Sequence, residues 1–268
     1  MLKLIKGNLS ILRYLLISFL FIGAIILHGI IETPRIKYYF PFTGAILLYL
    51  LTLLLLKIQG KKLTHLGLNI TFKNLSYLGV GLFIGIGAFL LISFIKTIGT
   101  DSSWQFNTEV DSFTLFHGFY LILASAAVQE LLFRGYLFQK VLEDVNFFAA
   151  NILFGTLFTL AHILDFSVIQ NVPKLIYLLI TIPVGHLLFA VAYQKSATLF
   201  FPIGLHWGNN WISTYLIASK ENESTIFVWN NELNIDTWPH FIFTLLLFNL
   251  FYLLITWLIW KFLKVKKS

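Results

Sequence analysis

The chain is 268 residues long, 58% hydrophobic and only 12% charged, with a mean hydropathy of +0.82. Soluble domains carry roughly 45–50% apolar and about 25% charged residues, so a soluble globular fold is excluded and an integral membrane protein is implied. The net charge of +7 does not mark a nucleic-acid surface, because its lysines and arginines sort by side of the membrane. Cysteine is absent, which removes disulfides, thiolate chemistry and cysteine-ligated metals.

About 20 apolar residues cross a hydrocarbon core, and the sequence holds about eight such stretches. In chain order they are 11–31, 38–56, 76–98, 114–140, 146–168, 174–194, 198–218 and 240–262. The first follows Lys3 and Lys6 as a signal peptide would. It is too long for a signal-peptide core and lacks a small-residue cleavage site, so it reads as a retained span. Little sequence remains for anything else, and residues 1–268 are expected to form one integral-membrane domain. The predicted fold is all-α, a polytopic bundle enclosing a polar intramembrane cavity.

Charge sets the orientation. With the N-terminus cytoplasmic, Lys3, Lys6, Arg13, Lys57, Lys61, Lys62, Lys73, Lys140, Lys195, Lys261, Lys264, Lys266 and Lys267 fall inside. Arg35, Lys37, Lys96, Lys174 and Lys220 fall outside, together with the acids Asp101, Glu109, Asp111, Glu221, Glu223, Glu232 and Asp236. This asymmetry follows the positive-inside rule and predicts an N-in, C-in topology. Lys61, Lys62 and Lys73 lie in a polar cytoplasmic segment that would meet anionic headgroups, so membrane lipids are expected partners and nucleic acid is not. The outer loop 217–239 is acidic and carries Trp229 and Trp238; its Asn222-Glu223-Ser224 sequon is weak as a modification signal.

Three polar pairs inside the spans repeat one spacing. Glu130 and Arg134 lie on the fourth stretch, beside Gln129; Phe158 and His162 on the fifth; His206 and Asn210 on the seventh. Residues four apart share a helix face about 5–6 Å apart, so each pair can aim into one cavity. An ionisable group at the centre of a span costs roughly 2.5–3.5 kcal/mol and persists mainly when paired or lining a polar space. Glu130, ten residues before Lys140, would lie about 15 Å deep on a continuous helix. His206, eleven residues past Lys195, matches that depth. His162 matches only if the fifth helix starts in the interface or tilts.

Such a set suits hydrolysis. A carboxylate and a histidine can orient and deprotonate water, and a second histidine with an asparagine can donate to a developing oxyanion. Arg134 can hold the carboxylate. A single intramembrane His or Asn is commonly packing glue between helices; three pairs at one spacing argue against that reading here. His28, His117 and His186, also in spans, are read as packing, and His65 and His240 as interfacial. Two histidines and a glutamate are also a zinc ligand set. No His-Glu-x-x-His is present, and the spacing neither requires nor excludes a metal.

Taken together, these residues resemble the CPBP family, the CAAX protease and bacteriocin-processing or Abi family of intramembrane proteases. The family pattern is Glu-Glu-x-x-x-Arg, Phe-x-x-x-His and His-x-x-x-Asn/Asp. Glu130 and Arg134 match the first motif, Phe158 and His162 the second, His206 and Asn210 the third, within a core of about 115–215. The resemblance implies an eight-helix bundle and endopeptidase cleavage of a membrane-associated substrate, such as a prenylated or leader peptide. It also implies that the first glutamate and His162 activate water while His206 and Asn210 stabilise the oxyanion. No metal is carried over.

One position departs from the pattern: the first glutamate is Gln129. A neutral amide is no base near pH 7, although it can orient water. Three outcomes follow: Glu130 takes over, His162 acts alone with an ordinary imidazole pKa of ~6.5, or catalysis is lost and the chain acts as a binding, immunity or regulatory protein. A transporter would instead show inverted repeats and matched broken helices, and neither is visible.

Overall fold

The computed structural model describes residues 11–100, 103–108, 110–164, 166–218, 225–229 and 237–263. Lys3, Lys6, Asp101, Glu109, Lys220, Glu221, Glu223, Glu232, Asp236, Lys264, Lys266, Lys267 and the Asn222–Ser224 sequon therefore lie outside the described residues.

The architecture is an all-α polytopic membrane bundle, as expected. Its helices are α1 (Ile11–Ile31), α2 (Pro34–Tyr39), α3 (Thr43–Ile58), α4 (Phe72–Thr100), α5 (Ser112–Phe133), α6 (Tyr136–Asp144), α7 (Phe147–Ile163), α8 (Phe166–Gln170), α9 (Val172–Ser196), α10 (Phe200–Trp211) and α11 (Trp238–Phe262). Many starts are written locally. Thr33, Asp111, Asn146 and Asn171 each cap a helix, accepting from the amides of Ile36, Thr114, Ala149 and Lys174, the usual way of satisfying orphan N–H groups. The Thr114 backbone amide holds the exposed Asp111 carboxyl below its ordinary pKa. Pro34, Pro173 and Pro239 sit in first turns, where proline loses no helical hydrogen bond.

The stretches predicted at 11–31, 76–98, 174–194 and 240–262 appear as α1, α4, α9 and α11, long and apolar enough to cross a membrane. The other four are modified. The 38–56 stretch starts as the short α2, turns at Pro41 and continues as α3. The 114–140 stretch breaks at Arg134 and Gly135, where a Cβ on Gly135 would lie 2.1 Å from the Leu131 carbonyl oxygen. The continuous-helix depth of Glu130 is therefore wrong: α5 ends at Phe133, with Glu130 in its last turn, and α6 is a separate amphipathic helix. The 146–168 stretch ends at Ile163, and the 198–218 stretch yields only the 12-residue α10, followed by a π turn at Ile212–Leu216. A small sheet, absent from the expectation, joins β1 (Trp104–Phe106) antiparallel to β3 (Phe227–Trp229), and β2 (Ile217–Ala218) parallel to it.

Although short, α10 is the centre of the bundle, buried from Phe201 to Gly208. It lies backbone to backbone against α4. A Cβ on Gly81 would sit 2.5 Å from the Phe201 carbonyl oxygen, and one on Gly85 2.3 Å from that of Leu205. Reciprocally, a Cβ on Gly204 would sit 2.1 Å from the Leu78 oxygen, and one on Gly208 2.2 Å from that of Leu82. Two glycines four apart on each helix let the backbones touch, the small-residue packing that membrane helices use in place of a hydrophobic drive. This contact fixes where His206 sits.

Two antiparallel registers set the level of everything else. Along α1, Arg13 Nη2 meets Asp144 Oδ2 at 2.6 Å and the Phe21 ring stacks on Tyr136, with centroids 6.4 Å apart. Seven residues further on, His28 lines one cavity with Gln129. Along α7, Phe154 packs on Phe138 and Phe158 lies under Arg134. One turn further on, His162 packs against the Phe158 ring. The end of the bundle at α6 is tied by Lys61 and His65 reaching Glu143, at 2.8 and 2.5 Å, and by Lys140 reaching Asp144 at 3.1 Å.

Candidate functional site

Glu130 and Arg134 are completely buried, and His206 is 3% exposed. One oxygen, Glu130 Oε1, accepts from two partners: Arg134 Nη1 at 3.1 Å and His206 Nδ1 at 2.7 Å. The guanidinium of Arg134 lies 4.2 Å from the Phe158 ring centre and 5.2 Å from that of Phe189. Phe189 in turn stacks on His206, with centroids 4.8 Å apart and planes 12° apart. Aromatic faces thus receive the cation while the carboxylate takes its hydrogen bonds. The motif pairs from α5 and α10 converge as the sequence spacing suggested.

His162 joins this cluster through Phe158. Its Nδ1 is 2.7 Å from the Phe158 carbonyl oxygen, and its ring packs edge-on against the Phe158 ring at 4.5 Å. A carbonyl only accepts, so Nδ1 carries the hydrogen and the neutral ring keeps Nε2 bare. In His206 the same logic places a proton on Nδ1 facing the carboxylate, leaving Nε2 as its working end. The two histidines are thereby oriented by different partners.

Asn210 lies one turn beyond His206 and is half-buried. Tyr252 OH donates to Asn209 Oδ1 at 2.6 Å, and Asn209 Nδ2 donates to Asn210 Oδ1 at 3.2 Å. This relay presents the Asn210 Nδ2 as the end that remains to donate. Asn209, the helix neighbour ignored in the sequence reading, is the link between Asn210 and α11.

Gln129 parts company with Glu130. One residue apart on a helix, the two side chains diverge, and Gln129 faces α1. Its Nε2 donates to Ser125 Oγ at 3.3 Å, while its Oε1 has no protein partner among the described residues. It lines a cavity of about 170 Å³ with Ser125, His28 and Glu32. His28 and Glu32 are themselves four residues apart, with Nε2 and Oε2 separated by 3.6 Å. The i, i+4 spacing that found the other pairs is present at His28 and Glu32 too, and would have found them.

The histidines read as packing divide. His117 behaves so, its Nε2 2.8 Å from the Tyr38 carbonyl oxygen and its ring stacked on Phe113. His186 is 1% exposed and neither ring nitrogen has a partner among the described residues. It floors a groove of about 640 Å³ between α7 and α9. Among the described residues no three His, Asp or Glu side chains converge as a metal ligand set. His206 Nδ1 and Arg134 Nη1 both donate to the one Glu130 oxygen, which is thereby occupied by hydrogen bonds.

The fold and this buried carboxylate–arginine–histidine cluster define a polytopic helical membrane protein with a hydrolase-type constellation between its helices. Residues 111–212 match the family described as Rce1-like, type II CAAX prenyl endopeptidase, and this segment is similar to that family. The matched segment contains all three motifs. Among curated proteins, none matches the chain.

Proposed function

We propose that the protein is an intramembrane endopeptidase of the CAAX-protease type. Its substrate would be a membrane-associated peptide, prenylated or carrying a leader. It would lie N-in, C-in in the cytoplasmic membrane of a bacterium. The observation that carries this reading is the His206–Glu130–Arg134 cluster inside the segment matched to the endopeptidase family. His162 accepts a hydrogen bond from water at its bare Nε2 and draws off a proton as the water oxygen attacks the peptide carbonyl. The Nε2 of His206, protonated and backed by the Glu130 carboxylate, donates to the developing oxyanion together with Asn210 Nδ2. Arg134 balances Glu130. No step needs a metal.

A second reading has one observation in its favour: Gln129, which cannot act as a base. In that reading the chain keeps the cluster as a binding surface and acts as an immunity or regulatory protein. Cleavage of a membrane-tethered peptide in liposomes separates the two, using the natural chain, Gln129→Glu, Glu130→Ala and His162→Ala. Turnover by the natural chain that disappears in His162→Ala supports the endopeptidase. Turnover only in Gln129→Glu supports the binding protein, and turnover in none of the four on varied peptides overturns the endopeptidase reading.

A further inference from the structure

A cavity of about 550 Å³ opens at the α6 end of the bundle and shares no residue with the histidine cluster. Its wall carries four cations, Arg13 of α1, Lys57 of α3, Lys61 just beyond it and Lys140 of α6, with Gln59 and Gly60 between them. Its size falls within the ~300–1,000 Å³ typical of small-molecule sites. Two carboxylates pair with these cations, Asp144 with Arg13 and Lys140, and Glu143 with Lys61. Neither carboxylate lines the cavity. Four cations against two carboxylates leave the wall with a surplus of positive charge.

Local structure builds this wall. Helix α3 ends in a Schellman turn, in which the Lys61 amide donates to the Leu56 carbonyl at 2.9 Å and the Gly60 amide to that of Lys57 at 3.1 Å. Gly60 supplies the left-handed φ of +72° that such a turn requires, and the chain returns Lys61 to the side of Lys57. Gln59 Nε2 donates to the Tyr136 hydroxyl at 2.5 Å, joining the end of α3 to the start of α6. Tyr14 OH donates to Asp144 Oδ2 at 2.7 Å, joining α1 to the end of α6. Arg13, whose side chain is only 3% exposed, is held at the wall by Asp144. Guanidinium and ammonium groups converging on one space are the donors that phosphate oxygens accept from.

The surroundings choose the carrier of that phosphate. Along α3, Ile46, Leu50, Leu53 and Leu54 are exposed, and Lys57 continues this stripe at helical spacing. On α1, Leu12, Leu15 and Phe19 are exposed on either side of Arg13 in sequence. An anion in the cavity therefore sits at the head of an apolar surface that runs about 16 Å along α3 at the helical rise. Basic pockets between membrane helices take anionic headgroups in this way. We propose that the cavity is a binding site for the phosphodiester headgroup of an anionic phospholipid, whose acyl chains lie along α1 and α3. Bound there, the lipid ties α1, α3 and α6 together at one end of the bundle.

The test is thermal unfolding of the full chain in a neutral detergent, titrated with phosphatidylglycerol, with phosphatidylcholine of the same acyl chains, or with glycerophosphate. The expected result is a saturable rise in the unfolding midpoint with phosphatidylglycerol alone, because a ligand of the folded state stabilises it. Lys57 is exposed and belongs to none of the ion pairs above, so Lys57→Gln should unfold as the natural chain does in phosphatidylcholine. It should weaken the apparent affinity for phosphatidylglycerol about fivefold, the worth of one cation near an anionic surface, and Lys57→Glu about 25-fold. Lys62→Gln, the same charge change outside the cavity wall, should weaken it less. Native mass spectrometry, counting the phosphatidylglycerol molecules each variant retains, reads the site independently of stability. No preference for phosphatidylglycerol over phosphatidylcholine, or equal losses in Lys57→Gln and Lys62→Gln, overturns the proposal. Glycerophosphate acting at the same concentration as the lipid overturns the lipid as occupant and makes the cavity a site for soluble phosphate.

Discussion

Arg134 reaches Glu130 through one nitrogen, and its Nε and Nη2 find no protein partner among the described residues, nor does Glu130 Oε2. A completely buried pair with such incomplete satisfaction is weak support for stability. Burying two charges costs several kcal/mol each, recovered only when geometry and further hydrogen bonds are good. The arrangement is better understood as a fixed charge that holds the Nδ1 proton of His206. Removing one partner leaves the other buried and uncompensated, so Glu130→Gln and Arg134→Met should each destabilise by about 3–5 kcal/mol. The double variant should cost less than the sum, with a coupling of about 0.5–3 kcal/mol. Unfolding of the three variants in detergent reads this, and additive losses would show that the ion pair does not act as a unit. The convergence of Glu130, Arg134 and His206 followed from their spacing in the sequence, whereas the depth expected for Glu130 did not hold, because α5 ends at Phe133. That Gln129 and Glu130 face different neighbours was not legible, because facing depends on which helix packs on each side of α5.

Helix α10 shows what an element needs beyond hydropathy. Its 12 residues are about 18 Å long at the helical rise, too short to cross a hydrocarbon core alone. It is tolerated because protein, not lipid, surrounds it, and because the four glycines admit α4 to backbone contact. A methyl at Gly204 meets the Leu78 carbonyl oxygen at 2.1 Å, whereas one at Gly87, on the same partner helix, meets nothing within 4 Å. Gly204→Ala should therefore destabilise by about 1–3 kcal/mol, the range for overpacking a filled core, and lower turnover by displacing His206. Gly87→Ala should do neither. Thermal unfolding of the two variants side by side checks the contrast, and equal behaviour would contradict the packing account. The glycine pairs at 81/85 and 204/208 were visible in the sequence as a four-residue repeat. The break after Phe133 was not signalled by hydropathy, which stays apolar through Leu142. It falls at the close approach of Gly135 to Leu131.

At the scale of the molecule, packing brings the motif residues of α5, α7 and α10 together at one level. Glu130, His162 and His206 come from α5, α7 and α10. Apolar stretches of spanning length in a 58% hydrophobic chain made an all-helical membrane bundle legible, while the caps at Asp111, Asn146 and Asn171 that fix helix starts went unread. The outer three-stranded sheet escaped the reading because its strands are only two or three residues long, below any periodic signal. The central claim is that water, activated at this level, cleaves a peptide. It is tested most directly by incubating a membrane-tethered peptide with the liposome-embedded chain in 18O-labelled water and weighing the fragments. The account predicts one 18O in the new carboxyl terminus with the natural chain and none with His162→Ala. Cleavage that proceeds equally in His162→Ala, or fragments that form without the label, would contradict it.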